Sequence, residues 1–261
     1  MQLLTNGLVK NFRAGQLNVA VYARCAQLGA AAGAALATEI RRLIAERGRA
    51  VGLFAAAPSQ NETLAALVAA PNLDWTSVIA FHLDEYLGLN EDAPQSFRRY
   101  LIEHLVMRVP LAEFHGLRGE AANPSAVCQN YARLMEFKPP DFAAIGIGEN
   151  GHLAFMDPSV CDFNDPQVVK VVELEEACRQ QQVNDGCFAK LDDVPRRALS
   201  VTVPTMMHCQ KLVLSVPGVR KQAAVERALN GPVTTACPAS ILRTHPNAWL
   251  FLDEESAALL N

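Results

Sequence analysis

Short, almost uninterrupted apolar runs alternate along this chain with longer segments of helical character, and that alternation limits the fold more than any other feature. The runs Leu17–Ala23, Ala50–Phe54, Ser77–Leu83, Phe142–Ile147, Val168–Val172, Leu199–Val203, Leu212–Val216 and Ala248–Leu252 read as strands. Between and after them, Cys25–Arg47, Asn61–Ala70, Gln95–Val106, Pro124–Met135, Val219–Leu229 and Asp253–Leu260 read as helices. Strands apolar on both faces need cover on both faces. The pattern therefore predicts an α/β chain, a three-layer α/β/α sandwich with a mostly parallel, Rossmann-like central sheet. The 261 residues carry no repeat or low-complexity linker, so 1–261 is expected to form a single domain. Ligands of such sheets sit outside the carboxyl ends of the strands, which directs attention to the residues just after each one.

Charge and cysteine usage exclude several classes. The net charge is −4, with 23 basic and 27 acidic residues interspersed. No basic block exists to hold a nucleic acid. No apolar run is long enough to span a membrane, and Met1 to Val9 lacks the features of a leader, so a cytoplasmic protein is expected. The 7 cysteines include no C-x-x-C pair and read as reduced, buried thiols. Without H-E-x-x-H or paired Cys/His spacing, no metal and no cofactor is expected.

Two strand ends carry groups that could do chemistry. Asp84 and Glu85 follow the strand that ends at Leu83. They are either solvated loop charges or, in a pocket, a general base whose pKa is raised by burial or by its neighbour. The strand from Phe142 leads into Gly146–Pro158 (GIGENGHLAFMDP), where Gly146, Gly148 and Gly151 allow a tight turn and close approach to a ligand. His152 lies in that loop, and Asn150 and Asp157 are near enough in sequence to orient its ring. His82, within a strand, and His104, on a helix, read as structural.

These residues carry a resemblance. Phe81–Leu89 (FHLDEYLGL), followed by Pro94, Ser96 and Phe97, resembles the D-E-Y-x-G-L-x-x-x-x-P-x-S motif of the glucosamine-6-phosphate deaminase/isomerase family. GIGENGHLAFMDP resembles that family's G-x-G-x-D-G-H-I-A-F-N-E-P. The 6-phosphogluconolactonases share the superfamily but carry D-E-R and G-H-T-A-S-L-F-P, so Tyr86 and Leu153-Ala154-Phe155 favour the deaminase side. The resemblance implies conversion of an amino-sugar phosphate to a ketose phosphate and ammonia without a cofactor. His152 would open the sugar ring, and Asp84 would carry a proton from C2 to C1. A lactone hydrolase is the alternative within the enzymes. A non-catalytic sugar-phosphate-binding regulator is the alternative outside them, although a binder needs neither Asp84 nor His152. Oligomeric state stays open, a homo-oligomer included.

The sequence departs from the family in telling places. Asn150 stands where the family has Asp, and Asp157 where it has Glu. An amide can hold an imidazole but cannot stabilise imidazolium by charge. The family's phosphate turn is glycine-rich, whereas here it reads Ala55-Ala56-Ala57-Pro58-Ser59. Ser59 and Glu62 have capping-box spacing, which would satisfy the helix start internally and set a carboxylate against a phosphate. Gly218 and Lys221 match the family's second phosphate segment at a helix start. A family arginine falls near Asn184, in a polar stretch that reads as a rebuilt part of the pocket. The expected substrate contacts are thus Glu85, Ala56, Ala57, Ser59, Gly148, Gly151, Gly218, Lys221 and Asn184.

Overall fold

The computed structural model describes residues 3–260; Met1 and Gln2, where the leader argument begins, lie outside them. The chain opens with a hairpin of β1 (Leu8–Ala14) and β2 (Leu17–Tyr22), then α1 (Cys25–Arg47), β3 (Ala50–Phe54) and α2 (Asn61–Val68). It continues through β4 (Val78–His82), β5 (Asp84–Tyr86), α3 (Phe97–Leu101), β6 (Glu113–His115), α4 (Pro124–Phe137) and β7 (Phe142–Ile145). The last part holds β8 (Val169–Glu173), α5 (Glu176–Asn184), β9 (Arg197–Val201), α6 (Val203–Met207), β10 (Lys211–Val216), α7 (Gln222–Asn230) and β11 (Ala248–Asp253).

An eight-stranded sheet of order β1-β2-β11-β10-β7-β3-β4-β6 forms the centre, parallel throughout except for the β1–β2 hairpin. Register explains where loops gather. Phe54 pairs with His82 and with Ala144, and Val216 with Leu252, so the segments after β3, β4, β7 and β10 leave from one edge. Burial drives this layer: β3 and β4 are buried along their whole length, as near-continuous apolar strands of a covered sheet must be. Helix α1 buries Leu28, Ala32, Leu36, Ile40 and Leu43, one face at helical spacing. Each such leucine or isoleucine contributes about 1.5–3 kcal/mol. At Gly29 and Gly33 α2 comes so close that an added Cβ would lie 2.3 Å from Glu62 and 2.7 Å from Ala66. No helix of the described residues is long and apolar enough to cross a membrane.

Several sequence expectations are corrected. The strands expected over Val168–Val172 and Leu199–Val203 form, but as β8 and β9 of a separate three-stranded antiparallel sheet whose edge is β5. Asp84 and Glu85 therefore lie in a strand and not in a loop. The hairpin strand β1 escaped notice because its residues alternate between partly buried and exposed, with no fully buried position. The helix expected over Asp253–Leu260 is a run of turns. Asp253 ends β11 there, accepting a hydrogen bond from Ser256 N at 2.8 Å while its carboxylate also takes the Gly218 N–H, and that ties the chain into turns.

Candidate active site

The loops at the carboxyl edge border an open cleft of about 470 Å³, its solvent-facing mouth included, lined by Asp84, His152, Ser59, Lys221, Gln181 and Gln182, with Ala56, Ala57 and Gly148. Ala56, Ala57 and Ser59 follow β3, Gly148 and His152 follow β7, and Lys221 follows β10, so the parallel register gathers these three groups. Asp84 and the two glutamines come from the small antiparallel sheet and the helix after it.

Asp84 reaches the cavity because β5 pairs with β9, setting it opposite Ser200. It is 5% exposed, and its Oδ1 has no hydrogen-bond partner among the described residues. Burial, then the neighbouring Glu85, pushes its carboxyl well above the ordinary carboxylate range. Glu85 points the opposite way, as alternate residues of a strand must. Its carboxylate accepts from Tyr86 N at 2.9 Å, Phe97 N at 3.1 Å, Arg98 N at 2.8 Å and Ser96 Oγ at 2.8 Å. Glu85 therefore holds the start of α3 and does not border the cavity, contrary to its expected substrate contact.

His152 is positioned from behind. Asn150 Nδ2 donates to Asp157 Oδ1 at 2.8 Å, which turns Asn150 Oδ1 toward His152 Nδ1 at 2.7 Å. An acceptor there requires a proton on Nδ1, leaving Nε2 as the basic edge. Asp157, fully buried, comes within 3.2 Å of the same Nδ1 and accepts from Glu175 N at 2.9 Å. Burial pushes its carboxyl up, but His152, the Asn150 amide and the Glu175 N–H outweigh that and hold it below the ordinary range. The shorter Asp157 thus still delivers a charge to the imidazole, with Asn150 wedged between them. Neither Asn150 nor Asp157 borders the cavity.

The glycines divide by task. A Cβ at Gly148 would lie 2.2 Å from the His152 ring, so the ring packs directly on its backbone. Gly151 has φ +91° and would meet Cys237 Sγ at 2.8 Å, so it shapes the loop from outside without lining the cavity. Ala154, which does line it, sits in the left-handed region at φ 53°, local strain of the kind concentrated at functional sites.

At the other end lies Lys221, 8% exposed. No carboxylate of the described residues comes within ion-pair distance of its ammonium, while neighbouring Arg220 is taken by Glu149 and Asp185. Burial lowers the Lys221 pKa, against the pull of Asp185 and Glu149. Ser59 lies in a short 3₁₀ turn, Pro58–Gln60, and neither that turn nor α2 has a side-chain cap. The expected capping box does not form. Ser59 Oγ instead accepts from Gln60 Nε2 at 3.2 Å and borders the cavity, while Glu62 lies in an adjoining cleft. Gly218 also faces that cleft, and its N–H is committed to Asp253 at 3.0 Å, so it offers the cavity no donor.

Asn184 is another correction. It lies at the end of α5, donates to Glu149 Oε2 at 3.2 Å and does not reach the cavity. Gln181, one turn back on the same face, and Gln182, on another, do. Helical phase sets Gln182 about 200° round the helix from Asn184 but leaves Gln181 beside it. His152, Asp157 and Cys178 bring atoms capable of holding a metal within 4.8 Å of one another, yet both Asp157 oxygens already accept hydrogen bonds.

A buried carboxylate, an oriented imidazole and a buried ammonium meet around one strand-end cavity, as in the site of an α/β enzyme. A family model described as glucosamine-6-phosphate isomerases/6-phosphogluconolactonase matches residues 23–251, and the chain belongs to that family. It is 34% identical over 229 residues to the glucosamine-6-phosphate deaminase of Listeria monocytogenes serotype 4a, covering 88% of this chain and 96% of the relative. The corresponding enzyme of Exiguobacterium sibiricum is 35% identical over 189 residues, 72% and 73% of the two chains. Among solved structures, a monomeric glucosamine-6-phosphate deaminase superposes with TM-score 0.85 at 28% identity, covering 92% of this chain and 99% of the other. A 6-phosphogluconolactonase from Shewanella baltica superposes with TM-score 0.75 at 17% identity, covering 95% and 100%, a likeness of fold alone.

Proposed function

We propose that this protein converts glucosamine-6-phosphate, or a close amino-sugar phosphate, to the ketose phosphate and ammonia, acting as a single-domain cytoplasmic enzyme. The observation that carries this reading is the cavity that gathers an unpaired Asp84 carboxyl, the Nε2 edge of His152 and the unpaired Lys221 ammonium. Its relatives named as deaminases support it.

His152 Nε2 takes the O1 proton of the cyclic sugar and returns it to O5, breaking the C1–O5 bond and leaving an aldehyde. Asp84 then takes the C2 proton, which the adjacent carbonyl has acidified, and the electron pair moves into an enolamine. A carboxylate whose proton affinity is raised by burial is a stronger base for this step. Asp84 gives the proton to C1 while the nitrogen lone pair forms the C2 iminium, and one iminium N–H proton passes to the O1 alkoxide. Water adds at C2, the C–N bond breaks, and ammonia leaves, with no net oxidation. Lys221 and the Ser59 hydroxyl anchor the phosphate away from the reacting carbons, so that binding there fixes C2 against Asp84.

Ammonia release from purified protein supplied with glucosamine-6-phosphate tests the reading. Turnover in the wild type, with a loss of roughly 10²–10⁴-fold in Asp84→Asn, is the expected result. Failure to release ammonia from any amino-sugar phosphate, with hydrolysis of a 6-phosphogluconolactone instead, would overturn it.

A further inference from the structure

We propose that Gln182 is a specificity-determining residue whose carboxamide hydrogen-bonds a hydroxyl of the bound sugar, at a carbon between the reacting C2 and the phosphate. The proposal deepens the function above and rests on it.

Gln182 is 5% exposed and borders the cavity, yet no hydrogen bond reaches its side chain among the described residues. The other amides of the same stretch are all engaged. Gln181 Oε1 accepts from Glu149 N at 2.7 Å, Gln180 Nε2 donates to Asn184 Oδ1 at 3.1 Å, and Asn184 donates to Glu149. A buried amide that faces a cavity and is left without a partner is a group kept for a ligand. Its placement does not depend on that side chain, because the Gln182 carbonyl accepts from Cys187 N at 3.0 Å and closes the end of α5.

Two anchors locate it between the ends of the site. Gln181, its immediate neighbour, is tied to the loop that carries His152. Asp185, three residues on, holds Arg220 at 2.7 Å beside Lys221. Gln182 thus lies between the proton-transfer end and the ammonium. Its chemistry suits that middle position: a carboxamide offers one acceptor and two donors, and pairs with a hydroxyl in either sense, whereas it adds no charge for a phosphate.

The test compares wild type, Gln182→Ala and Gln182→Met as full chains. Ammonia release is followed with glucosamine-6-phosphate and with its C4 epimer galactosamine-6-phosphate, and the thermal midpoint is recorded for each protein. Gln182→Met keeps the length and packing but removes the hydrogen bonds. The expected result is a KM for the preferred substrate raised roughly ten- to hundred-fold in both variants, a smaller change in kcat, a narrowed epimer preference, and an unshifted midpoint. Wild-type KM and epimer preference in Gln182→Met would overturn the assignment, whether or not Gln182→Ala folds. Absence of turnover in the wild type would instead overturn the function on which it rests.

Discussion

Asn150 presents its carbonyl oxygen to His152 Nδ1 at 2.7 Å only because its amide is held by Asp157. The side chain thus reads the direction of a charge and passes it on as a choice of tautomer. Replacing Asn150 with Leu removes the acceptor and leaves Asp157 without its nearest donor. We expect kcat to fall about 10–100-fold, the usual effect of losing such a supporting contact, with KM little changed. Steady-state kinetics on the variant decide it; an unchanged kcat would mean that Asp157 orients the ring alone.

Asp84 links activity and stability to pH in opposite senses. Its folded pKa lies above the ordinary 3.8, so the fold favours the protonated form. That preference stabilises the protein fully below 3.8 and is lost as pH rises through the elevated folded value. Asp84→Asn cannot ionise, so it should melt higher than wild type at neutral pH, by roughly 2–6 °C, and the gap should close in acid. Turnover, which needs the ionised base, should fall on the acid side of the same elevated pKa. Thermal midpoints and rates measured across pH test both halves.

Lys221 is a buried ammonium without an ion pair among the described residues. Lys221→Met should raise KM for the phosphorylated substrate at least about tenfold, as expected for losing a charge-assisted contact, and leave any turnover of the unphosphorylated sugar unchanged. Because the fold disfavours the charge, the variant should also be no less stable than wild type in thermal melts.

Glu85 should behave in the reverse way. Removing its carboxylate leaves three donors at the α3 start and the Tyr86 N–H without an acceptor, a loss of about 3 kcal/mol or more. Glu85→Ala should therefore lower the denaturation midpoint markedly while the surviving folded enzyme keeps its KM. A raised KM with intact stability would return Glu85 to the substrate.

The central sheet was legible because burial on both faces leaves an unmistakable apolar signature in β3, β4 and β10. Asp84 and His152 were legible because each follows such a strand in a motif. Other features depend on direction, which residue identity does not encode. Whether Glu85 or Asp84 faces the cavity is settled by the antiparallel pairing of β5 with β9, a contact more than a hundred residues distant in sequence. Ser59 and Glu62 have the spacing of a cap, yet the turn at Pro58–Gln60 rotates the serine away from that task. Asn184 is expected from its alignment with a family arginine, and alignment alone does not tell which residue of a helix reaches a cavity.

Ser200 is one of the points at which the two sheets are tied together, as is the Val201 N–H on the Leu83 carbonyl at 3.0 Å. Ser200 lies opposite Asp84 in the small sheet, and its hydroxyl accepts the backbone N–H of Phe155, three residues beyond His152, at 3.1 Å. Asp84 and His152, the groups proposed to move protons, are thus linked through this buried hydroxyl, which helps to set the gap between them. A substitution at Ser200, which does not line the cavity, would shift that gap and leave both side chains as they are.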